Sequence, residues 1–398
     1  MAGQFKYIII GRGMMGAAAA RHLAARTEGV ALIGPPEPVD HARHQGVFAS
    51  HYDEGRITRT IDPDPVWAKL ANRSIARYGE IAKDSGIDFY SEVGCLLTGV
   101  ARGETPSYVG KTLDAAATLN VGTQILDDAA LAHQFPYFHF DAASEGVFEP
   151  QNAGYINPRQ LVKAQTVLAA RAGTTIIAET VTSVREEGGA VTVTTVEGHR
   201  YTAENVLLAA GGFSIAQGLL PQPVDLSVYA RTVAFFEIGE EEGARLAGMP
   251  SLIAKPSDPL QEFYLLPPIR YPDGKLYLKI GGDPDDVRLT TDAEMRAWFR
   301  SGGRESARLH LAGLMQKLIP DLKAENASMA ACVVAFTPSG YPAIGFSSST
   351  HIAVLTGGCG AAAKSSDEIG RLGATVLLDG GIDDPAYATD FAPVFRAA

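Results

Sequence analysis

The sequence is short of cysteine, of long apolar runs and of positive charge. Its three cysteines, Cys95, Cys332 and Cys359, lack paired spacing, so they supply neither a disulfide framework nor a zinc site. No apolar run is long enough to span a bilayer, and no basic segment followed by an apolar core precedes the first predicted strand. The formal net charge of -11 argues against nucleic acid and anionic membranes as partners. We therefore expect a soluble, cytoplasmic protein with no membrane partner, no nucleic-acid partner and no bound metal.

The N-terminal segment has the pattern of a dinucleotide-binding unit. Residues 7–10 are an apolar run typical of a strand buried on both faces, and residues 17–25 predict an alanine-rich helix. Three glycines lie between them: the first permits a tight turn, the second lets the backbone approach a pyrophosphate, and the third lets the helix pack on the strand. The alternative is a glycine-rich turn in an ordinary α/β protein, but the flanking strand and helix favour the motif. The predicted cofactor-binding residues of this turn are Gly11, Gly13, Met14, Met15 and Gly16.

One position departs from that pattern. Dinucleotide folds usually place Asp or Glu at the end of the second strand, where it binds ribose hydroxyls. Here the second strand is predicted over residues 30–33, and Gly34 follows it. Glu37 or Asp40 could reach the ribose instead, and the spacing proves neither. NADP is not expected, because no arginine directly follows the strand.

The rest of the chain predicts an α/β domain joined to a second, antiparallel sheet. We predict helices over residues 65–83, 127–136, 159–172 and 289–318, and strands over residues 89–98, 174–178, 180–186, 190–195, 199–201 and 206–212. The last strand ends on Gly211 and returns the chain to the first sheet. Residues 228–283 alternate apolar and polar side chains, which predicts the second sheet. Residues 46–59 are polar and without periodicity, and predict a loop, or a loop entering a helix, that passes the cofactor.

A second strand–glycine–helix unit occurs near the C-terminus. An apolar run ends at Thr356, and a helix that contains Lys364 is predicted to start near Ala361. This second helix N-terminus would direct its positive end at the cofactor. Backbone N–H groups and a helix dipole would stabilise the negative charge of a reduced flavin. The arrangement therefore suits a flavin cofactor better than a nicotinamide cofactor. The glycines of this turn are Gly357, Gly358 and Gly360.

Six sequence landmarks, taken in their order along the chain, resemble those of the monomeric sarcosine oxidase and N-methyltryptophan oxidase group of the D-amino-acid oxidase-like flavoproteins. They are the turn at residues 11–16, the segment from Ser50 and His51 to Arg56 and Arg59, the strand at residues 205–212, residues 276–281, Cys332 with Thr337, and residues 357–364. The resemblance implies FAD and oxidation of a secondary amino acid at its C–N bond. The imine product hydrolyses, and O2 is reduced to H2O2.

The same resemblance implies the domain organisation. A Rossmann-like α/β domain that binds FAD would comprise residues 1–88, 152–222 and 322–398. An α+β substrate domain with a mixed or antiparallel sheet would comprise residues 89–151 and 223–321. We expect the protein to act as a monomer on a small N-substituted amino acid.

The resemblance also assigns roles to charged side chains. Arg56 and Lys364 match a pair that binds the substrate carboxylate, for which a planar guanidinium and a point charge are suited. Both would also contact the cofactor, with Ser50 and His51; the alternative for each cation is solvation at the surface. His51 and Arg59 also match nearby positions of the family, and the alternative for both is that they only position the loop.

Lys279 matches a lysine that activates oxygen, since a cation beside the flavin would stabilise charge as it develops on O2. The alternation of residues 276–281 places Lys279 with Tyr277 on one face of its strand, and that face is covered either by solvent or by flavin. Tyr264 matches an active-site tyrosine. Asp283 stands where the simple sarcosine enzymes carry histidine, so an acid there would prefer a cationic or hydroxyl-bearing substrate group. A larger substrate than sarcosine, such as an N-carboxyalkyl or sugar-derived amino acid, is therefore an open alternative.

Cys332 matches a cysteine that bonds covalently to the flavin. The sequence after it departs from the family, with Val333 and Val334 in place of an aromatic residue and Pro338 in place of an acidic turn. The alternative is a small buried hydrophobic residue, the usual role of a free cysteine.

Three functions stay open at this point. The first is an oxidase that uses O2, and the second is a dehydrogenase of the same fold that passes electrons to a quinone or a carrier. The third is a non-catalytic or accessory flavoprotein subunit. Peroxide formation separates the first two, and bleaching of the flavin by substrate separates both from the third.

Overall fold

The computed structural model describes residues 3–103 and 107–396. Within these ranges the helices are α1 (Met14–Ala24), α2 (Pro65–Ile75), α3 (Tyr78–Ser85), α4 (Tyr108–Thr118), α5 (Asp128–Gln134), α6 (Pro158–Arg171), α7 (Glu240–Arg245), α8 (Asp292–Ser301), α9 (Glu305–Leu318) and α10 (Ala362–Asp379). The strands are β1 (Gly3–Ile10), β2 (Val30–Ile33), β3 (Arg56–Thr58), β4 (Tyr90–Ser91), β5 (Cys95–Val100), β6 (Gln124–Leu126), β7 (Ser144–Glu149), β8 (Gly154–Ile156), β9 (Thr175–Ile177), β10 (Val181–Glu187), β11 (Ala190–Thr195), β12 (Arg200–Leu208), β13 (Ser227–Ile238), β14 (Ser251–Lys255), β15 (Phe263–Arg270), β16 (Leu276–Gly281), β17 (Arg288–Leu289), β18 (Ala324–Phe336), β19 (Ala343–Phe346) and β20 (Ile352–Thr356). None of the helices in this part of the chain is long and apolar enough to cross a membrane.

The first sheet has a parallel centre in the order β9-β2-β1-β12-β20. Antiparallel strands extend it, with β11 and β10 beside the first half of β12 and β19 beside β20. Side chains such as Ile9 and Leu207 are completely buried, because α1 and α10 cover one face of the parallel centre. The carboxyl ends of β1, β2, β12 and β20 consequently meet at one edge, the usual position of a cofactor in an open α/β sheet.

The second sheet has the order β17-β13-β16-β15-β14-β5-β7-β6, and β18 pairs with β13 along its whole length, on the edge opposite β16 and β17. All of its pairs are antiparallel except β14 with β5. The helix α9 packs Leu311 and Met315 against Ala234, Leu278 and Ile280 of this sheet. A third, small antiparallel sheet joins β3, β8 and β4. The predicted fold class, a parallel-sheet α/β domain with a separate and largely antiparallel sheet, is confirmed.

Several predicted element boundaries were wrong. The helix predicted over residues 65–83 is two helices, α2 and α3, and Arg77 between them reaches Asp367 of α10 at 2.5 Å. The helix predicted over residues 289–318 breaks at Gly302 and Gly303, whose φ angles of 76° and 119° favour glycine. The two strands predicted over residues 199–201 and 206–212 are the single strand β12.

Two further segments differ from their predictions. The strand predicted over residues 89–98 is divided into β4 and β5, and the loop at residues 46–59 ends in the strand β3. The domain boundaries stay a prediction, but β18 lies in a segment assigned to the FAD domain and is hydrogen-bonded into the second sheet.

Candidate active site

A cavity of about 1100 Å³ is lined by residues from both large sheets. One part of its lining comes from the carboxyl ends of β1, β2 and β12, and another from β13, β15 and β18. Small-molecule sites usually measure roughly 300–1000 Å³, so this cavity has room for an extended ligand. Most of the side chains predicted to bind cofactor or substrate line it: Gly11, Gly13, Met14, Met15, Ser50, His51, Arg56, Gly211, Tyr264, Asp283, Cys332, Gly358, Gly360 and Lys364.

The glycine turn after β1 is shaped by close backbone approach. Gly11 has a φ of 107°, and a Cβ there would collide with the carbonyl oxygen of Ala209. A Cβ at Gly16 would collide with the carbonyl oxygen of Gly11, so Gly16 packs behind the turn and does not line the cavity. Among the described residues no side chain caps α1, which leaves its first N–H groups beside the cavity. This arrangement fits the phosphates of a dinucleotide.

The backbone geometry at the end of β2 explains why a glycine, and not Asp or Glu, stands at position 34. A Cβ at Gly34 would meet the backbone nitrogen of Arg12 at 2.7 Å, so any larger residue would displace the glycine turn. Arg12 itself lines the cavity, and burial lowers its pKa. Neither Glu37 nor Asp40 is among the lining residues.

Both candidate ribose ligands have other partners in the structure, and a role at the ribose stays a prediction. Glu37 accepts two hydrogen bonds from Arg159, at 2.8 and 2.7 Å, and this fork holds its carboxylate. The carboxylate of Asp40 is half exposed and lies 3.5 Å from the guanidinium of Arg43. Sequence reasoning missed the pair with Arg159 because the two residues are distant in the chain.

His51 presents an unused polar atom. Its Nδ1 is buried and has no hydrogen-bond partner among the described residues, and the ring packs edge-on against Tyr52 at 4.7 Å. Burial lowers the pKa of His51 to about 4, so the imidazole is neutral at ordinary pH. A neutral imidazole with a free nitrogen in the cavity lining is suited to hydrogen-bond a bound ligand.

Arg56 and Lys279 converge on one carboxylate, that of Asp53. Both cations contact its Oδ2, and Lys279 also donates to the carbonyl of Gly55 at 2.8 Å. The Arg56 guanidinium donates further to the carbonyl of Ser50 at 2.8 Å. The Lys279 side chain is only 1% exposed, so its face of β16 is not open to solvent. Burial, and then the charge of Arg56, lower the pKa of Lys279.

Lys364 is paired with a different arginine from the one predicted. Its Nζ lies 3.0 Å from Oδ2 of Asp62, and Nη2 of Arg59 lies 2.9 Å from the same oxygen. All three side chains line the cavity, and Lys364 is 1% exposed. Burial alone would raise the pKa of Asp62, but the charges of Lys364 and Arg59 hold it below its ordinary value. The arginine that shares a carboxylate with Lys364 is Arg59, and the assignment of Arg56 to the substrate carboxylate stays a prediction.

Tyr264 lies where β15 pairs with β16. It stands opposite Gly281, and its ring fills the space that a Cβ at Gly281 would need. The Nζ of Lys279 is 5.7 Å from the centre of this ring. Burial raises the pKa of Tyr264 to about 12, so the phenol stays protonated. It therefore offers the cavity a hydrogen-bond donor.

The carboxylate of Asp283 already has partners. Arg304 donates to Oδ1 at 2.5 Å, and the backbone N–H of Thr232 donates to Oδ2 at 2.8 Å. The side-chain carboxylate has no exposed surface. A cationic substrate group would have to displace Arg304, so recognition of such a group by Asp283 stays a prediction that this geometry does not favour.

Cys332 lies on β18, opposite Arg231 of β13. Directly opposed residues of an antiparallel pair present their side chains on the same face, so this arginine is a cation near the thiol that the sequence did not identify. The guanidinium of Arg231 donates to the carbonyl of Asp285 at 3.1 Å. The backbone carbonyl of Cys332 accepts a hydrogen bond from the indole of Trp298 at 2.7 Å.

The second glycine turn leads into α10. Gly358 and Gly360 line the cavity, as do residues 361–364 at the start of the helix. Gly357 does not, because it packs against Thr337 with a φ of 78°. The N-termini of α1 and α10 thus border the same cavity, as the two strand–glycine–helix units predicted.

Comparisons with known proteins agree with this geometry. The family model described as FAD dependent oxidoreductase (DAO) matches residues 6–375. A monomeric sarcosine oxidase of Bacillus sp. (strain NS-129) is 23% identical over 384 residues, which are 96% of this chain and 94% of that protein. One of Streptomyces avermitilis is 28% identical over 348 residues, 85% of this chain and 84% of that protein. The solved structure of NikD, described as an unusual amino acid oxidase essential for nikkomycin biosynthesis, covers 100% of this chain and 99% of its own with a TM-score of 0.75 at 20% identity, a likeness of fold.

Proposed function

The chain belongs to the DAO family of FAD-dependent oxidoreductases, and we propose that within this family it oxidises a secondary, N-substituted amino acid at its C–N bond with O2 as acceptor. The imine product hydrolyses and O2 is reduced to H2O2. When bound, FAD supplies the redox chemistry by taking two electrons from the amine and passing them on. The observation that carries the substrate class is the pair of buried cations, Arg59 and Lys364, in the cavity lining.

The charge of that group suits a carboxylate. Arg59 and Lys364 contribute two positive charges and Asp62 one negative charge, so the three side chains carry a net positive charge in a largely buried setting. A substrate carboxylate would neutralise it, and the guanidinium can present a planar fork to the carboxylate oxygens. Lys364 adds a point charge from the first turn of α10. The carboxylate would thereby fix the orientation of the amine.

The other lining groups have distinct roles in the proposal. The glycine turn of residues 11–16 and the start of α10 would hold the FAD phosphates and flavin, and the buried Nδ1 of His51 is free for a hydrogen bond to the cofactor. Tyr264 would donate a hydrogen bond from its protonated phenol to the substrate or cofactor. Lys279 is not itself a lining residue; its ammonium, 5.7 Å from the ring centre of Tyr264, would supply positive charge where negative charge develops on O2. The cytoplasmic location and the monomeric state belong to the same proposal.

Covalent attachment of FAD through Cys332 is part of this proposal. The thiolate, not the thiol, is the nucleophile, and a nearby cation favours the thiolate. Arg231 opposite Cys332 on β13 is such a cation, which supports the attachment despite the departures in the sequence after the cysteine.

An anaerobic screen tests the proposed substrate class. The purified protein is mixed, without oxygen, with N-methylglycine, with larger N-substituted amino acids and with the amines obtained by removing their carboxylates. We expect the flavin to lose its colour with the amino acids and to keep it with the decarboxylated amines, and admission of O2 to produce H2O2. Equal bleaching by the decarboxylated amines would contradict the carboxylate clamp, and bleaching by none of them would favour an accessory flavoprotein.

A dehydrogenase is the second candidate, and one contact favours it. Asp53 contacts Lys279 and cancels part of the positive charge that would assist O2, although Arg56 leaves the group with a net positive charge. Rapid reoxidation by O2 supports the oxidase. Sluggish reoxidation by O2 and fast reoxidation by a quinone would support the dehydrogenase.

A further inference from the structure

Asp53 is the centre of a buried polar group beside the main cavity. Its Oδ1 accepts a hydrogen bond from the hydroxyl of Tyr271 at 2.8 Å and one from the backbone N–H of Glu54 at 2.8 Å. Its Oδ2 contacts the ammonium of Lys279 and the guanidinium of Arg56. The Asp53 side chain is 7% exposed. Four donors therefore use the lone pairs of one carboxylate, which is about its full capacity.

The surroundings explain why a carboxylate is needed there. Lys279 and Arg56 are two cations that contact the same atom, and the ammonium of Lys279 has almost no contact with solvent. The other titratable groups facing Lys279 are Tyr264 from β15, whose phenol is protonated, and Cys332 from β18. Without Asp53, repulsion and burial would both favour loss of the proton from Lys279.

The nearest other carboxylate cannot take its place. Glu54 accepts a hydrogen bond from the guanidinium of Arg159 at 2.6 Å and is also bonded by the side-chain amide of Asn157. Its charge is therefore committed to a different cation.

We propose that Asp53 is a positioning residue for the electron-acceptor half-reaction: it keeps Lys279 protonated and fixes its ammonium beside the cavity wall. The inference rests on the proposed function only for the role of O2. A second cavity of about 380 Å³ borders this group, lined by Asp53, Arg56, Tyr271, Cys332 and neighbouring residues. Asp53 thus lies between Lys279 and a water-accessible space, while Asp62 holds the other cation pair at the proposed substrate carboxylate.

A double-mutant cycle on unfolding tests the charge relationship without reference to activity. Asp53→Asn leaves Lys279 without its anion, so the midpoint of denaturant unfolding should fall clearly. Lys279→Met added to Asp53→Asn should recover part of that loss, because it removes the more deeply buried of the two cations left without the carboxylate, while Arg56 is partly exposed. Asp114→Asn, at an exposed position of α4, is the matched control and should leave the midpoint unchanged. Additive effects of the two substitutions would overturn the inference, whether or not the protein proves to be an oxidase.

The pH dependence of reoxidation tests the functional part. The flavin of the holoprotein is reduced chemically and then mixed with O2 across a range of pH. In Asp53→Asn the rate should decline with rising pH, with a midpoint at least one pH unit lower than in the wild type, and Asp53→Glu should restore most of the shift. If the midpoints coincide, Asp53 does not set the protonation of Lys279 and the inference is wrong. If the protein yields no flavin, the proposed function fails, and the unfolding cycle still decides the relationship between Asp53 and Lys279.

Discussion

Lys364 and Asp62 form a buried ion pair, with Nζ of the lysine 3.0 Å from Oδ2 of the carboxylate and only 1% of the lysine side chain exposed. Arg59 contacts the same oxygen at 2.9 Å. Asp53 makes the corresponding contacts with Arg56 and Lys279. These four cations of the candidate site are thus divided into two pairs, each held by one aspartate, and each pair retains a net positive charge.

Asp62 gives stability that depends on pH. Lys364 and Arg59 lower its pKa in the folded protein below the ordinary value of 3.8. A depressed carboxyl pKa stabilises the folded state at pH values above about 4, and that contribution is lost as the pH falls through the folded-state value. Asp62→Asn leaves two buried cations without an anion and should cost about 3–5 kcal/mol in the free energy of unfolding at neutral pH. Denaturant titrations at several pH values measure both effects, and an acid-insensitive difference between wild type and variant would contradict them.

Arg59 should determine affinity for the substrate carboxylate. Arg59→Ala removes one partner of a buried charge pair. The transition-state stabilisation calculated from kcat/KM for the amino acid found in the anaerobic screen should therefore fall by about 2–4 kcal/mol. Arg59→Lys should recover only part of this loss, because an ammonium cannot present the planar fork. Arg43→Ala, at an exposed arginine, is the matched control. A loss with Arg59→Ala that is no larger than with the control would remove Arg59 from the clamp.

Cys332 should carry the flavin. After precipitation with acid, the wild-type pellet should stay yellow, whereas Cys332→Ala should release its colour to the supernatant. Cys95→Ala is the matched control, since Cys95 is a buried free cysteine of β5 in the second sheet and is not a lining residue of the cavity. A colourless wild-type pellet would show that the flavin is held without a covalent bond.

Gly16 should tolerate no side chain. Gly16→Ala places a Cβ against the carbonyl oxygen of Gly11 and should destabilise the fold by about 1–3 kcal/mol and weaken FAD retention. Gly313→Ala is the control: Gly313 lies in α9 with nothing within 4 Å of the added carbon, so the change should stabilise the helix by about 0.5–1 kcal/mol. Thermal unfolding with and without added FAD distinguishes these outcomes, and equal shifts for both glycines would contradict the packing argument.

The parts of the fold that local sequence determines were predictable. The glycine turns at both helix N-termini follow from residues that are neighbours in the chain, and the alternation of residues 228–283 identified the second sheet. The break at Gly302 and Gly303 was missed, although a glycine pair is a signal for a helix end, because one helix was predicted across it. The separation of α2 from α3 coincides with contacts from Arg77 to α10, which no local pattern shows.

The partners of charged residues were the part that sequence did not reveal. Lys279 alternates with apolar neighbours, but alternation does not say which face another element covers. The pairing of Glu37 with Arg159 and the contact of Lys364 with Asp62 each join segments that are distant in the chain, so neither was visible in the sequence. The i,i+3 spacing of Arg59 and Asp62 was a local signal that could have identified the ion pair between these two residues.

If the two cation pairs have separate roles, Lys279→Met should affect the reoxidation of the flavin and leave its reduction almost unchanged. The variant keeps an unbranched side chain of similar length and removes the charge. Two half-reactions are followed apart by rapid mixing: anaerobic flavin reduction by substrate, and reoxidation of the reduced flavin by O2. Lys275→Met, at an exposed lysine just before β16, is the matched control.

We predict that Lys279→Met slows reoxidation by about 100- to 1000-fold, since a preorganised charge in a buried site is worth roughly that factor. Reduction should change by only a few-fold, because Arg59 and Lys364 are untouched. Equal slowing of both half-reactions, or unchanged reoxidation, would contradict the assignment of Lys279 to the oxygen step and with it the proposal of an oxidase.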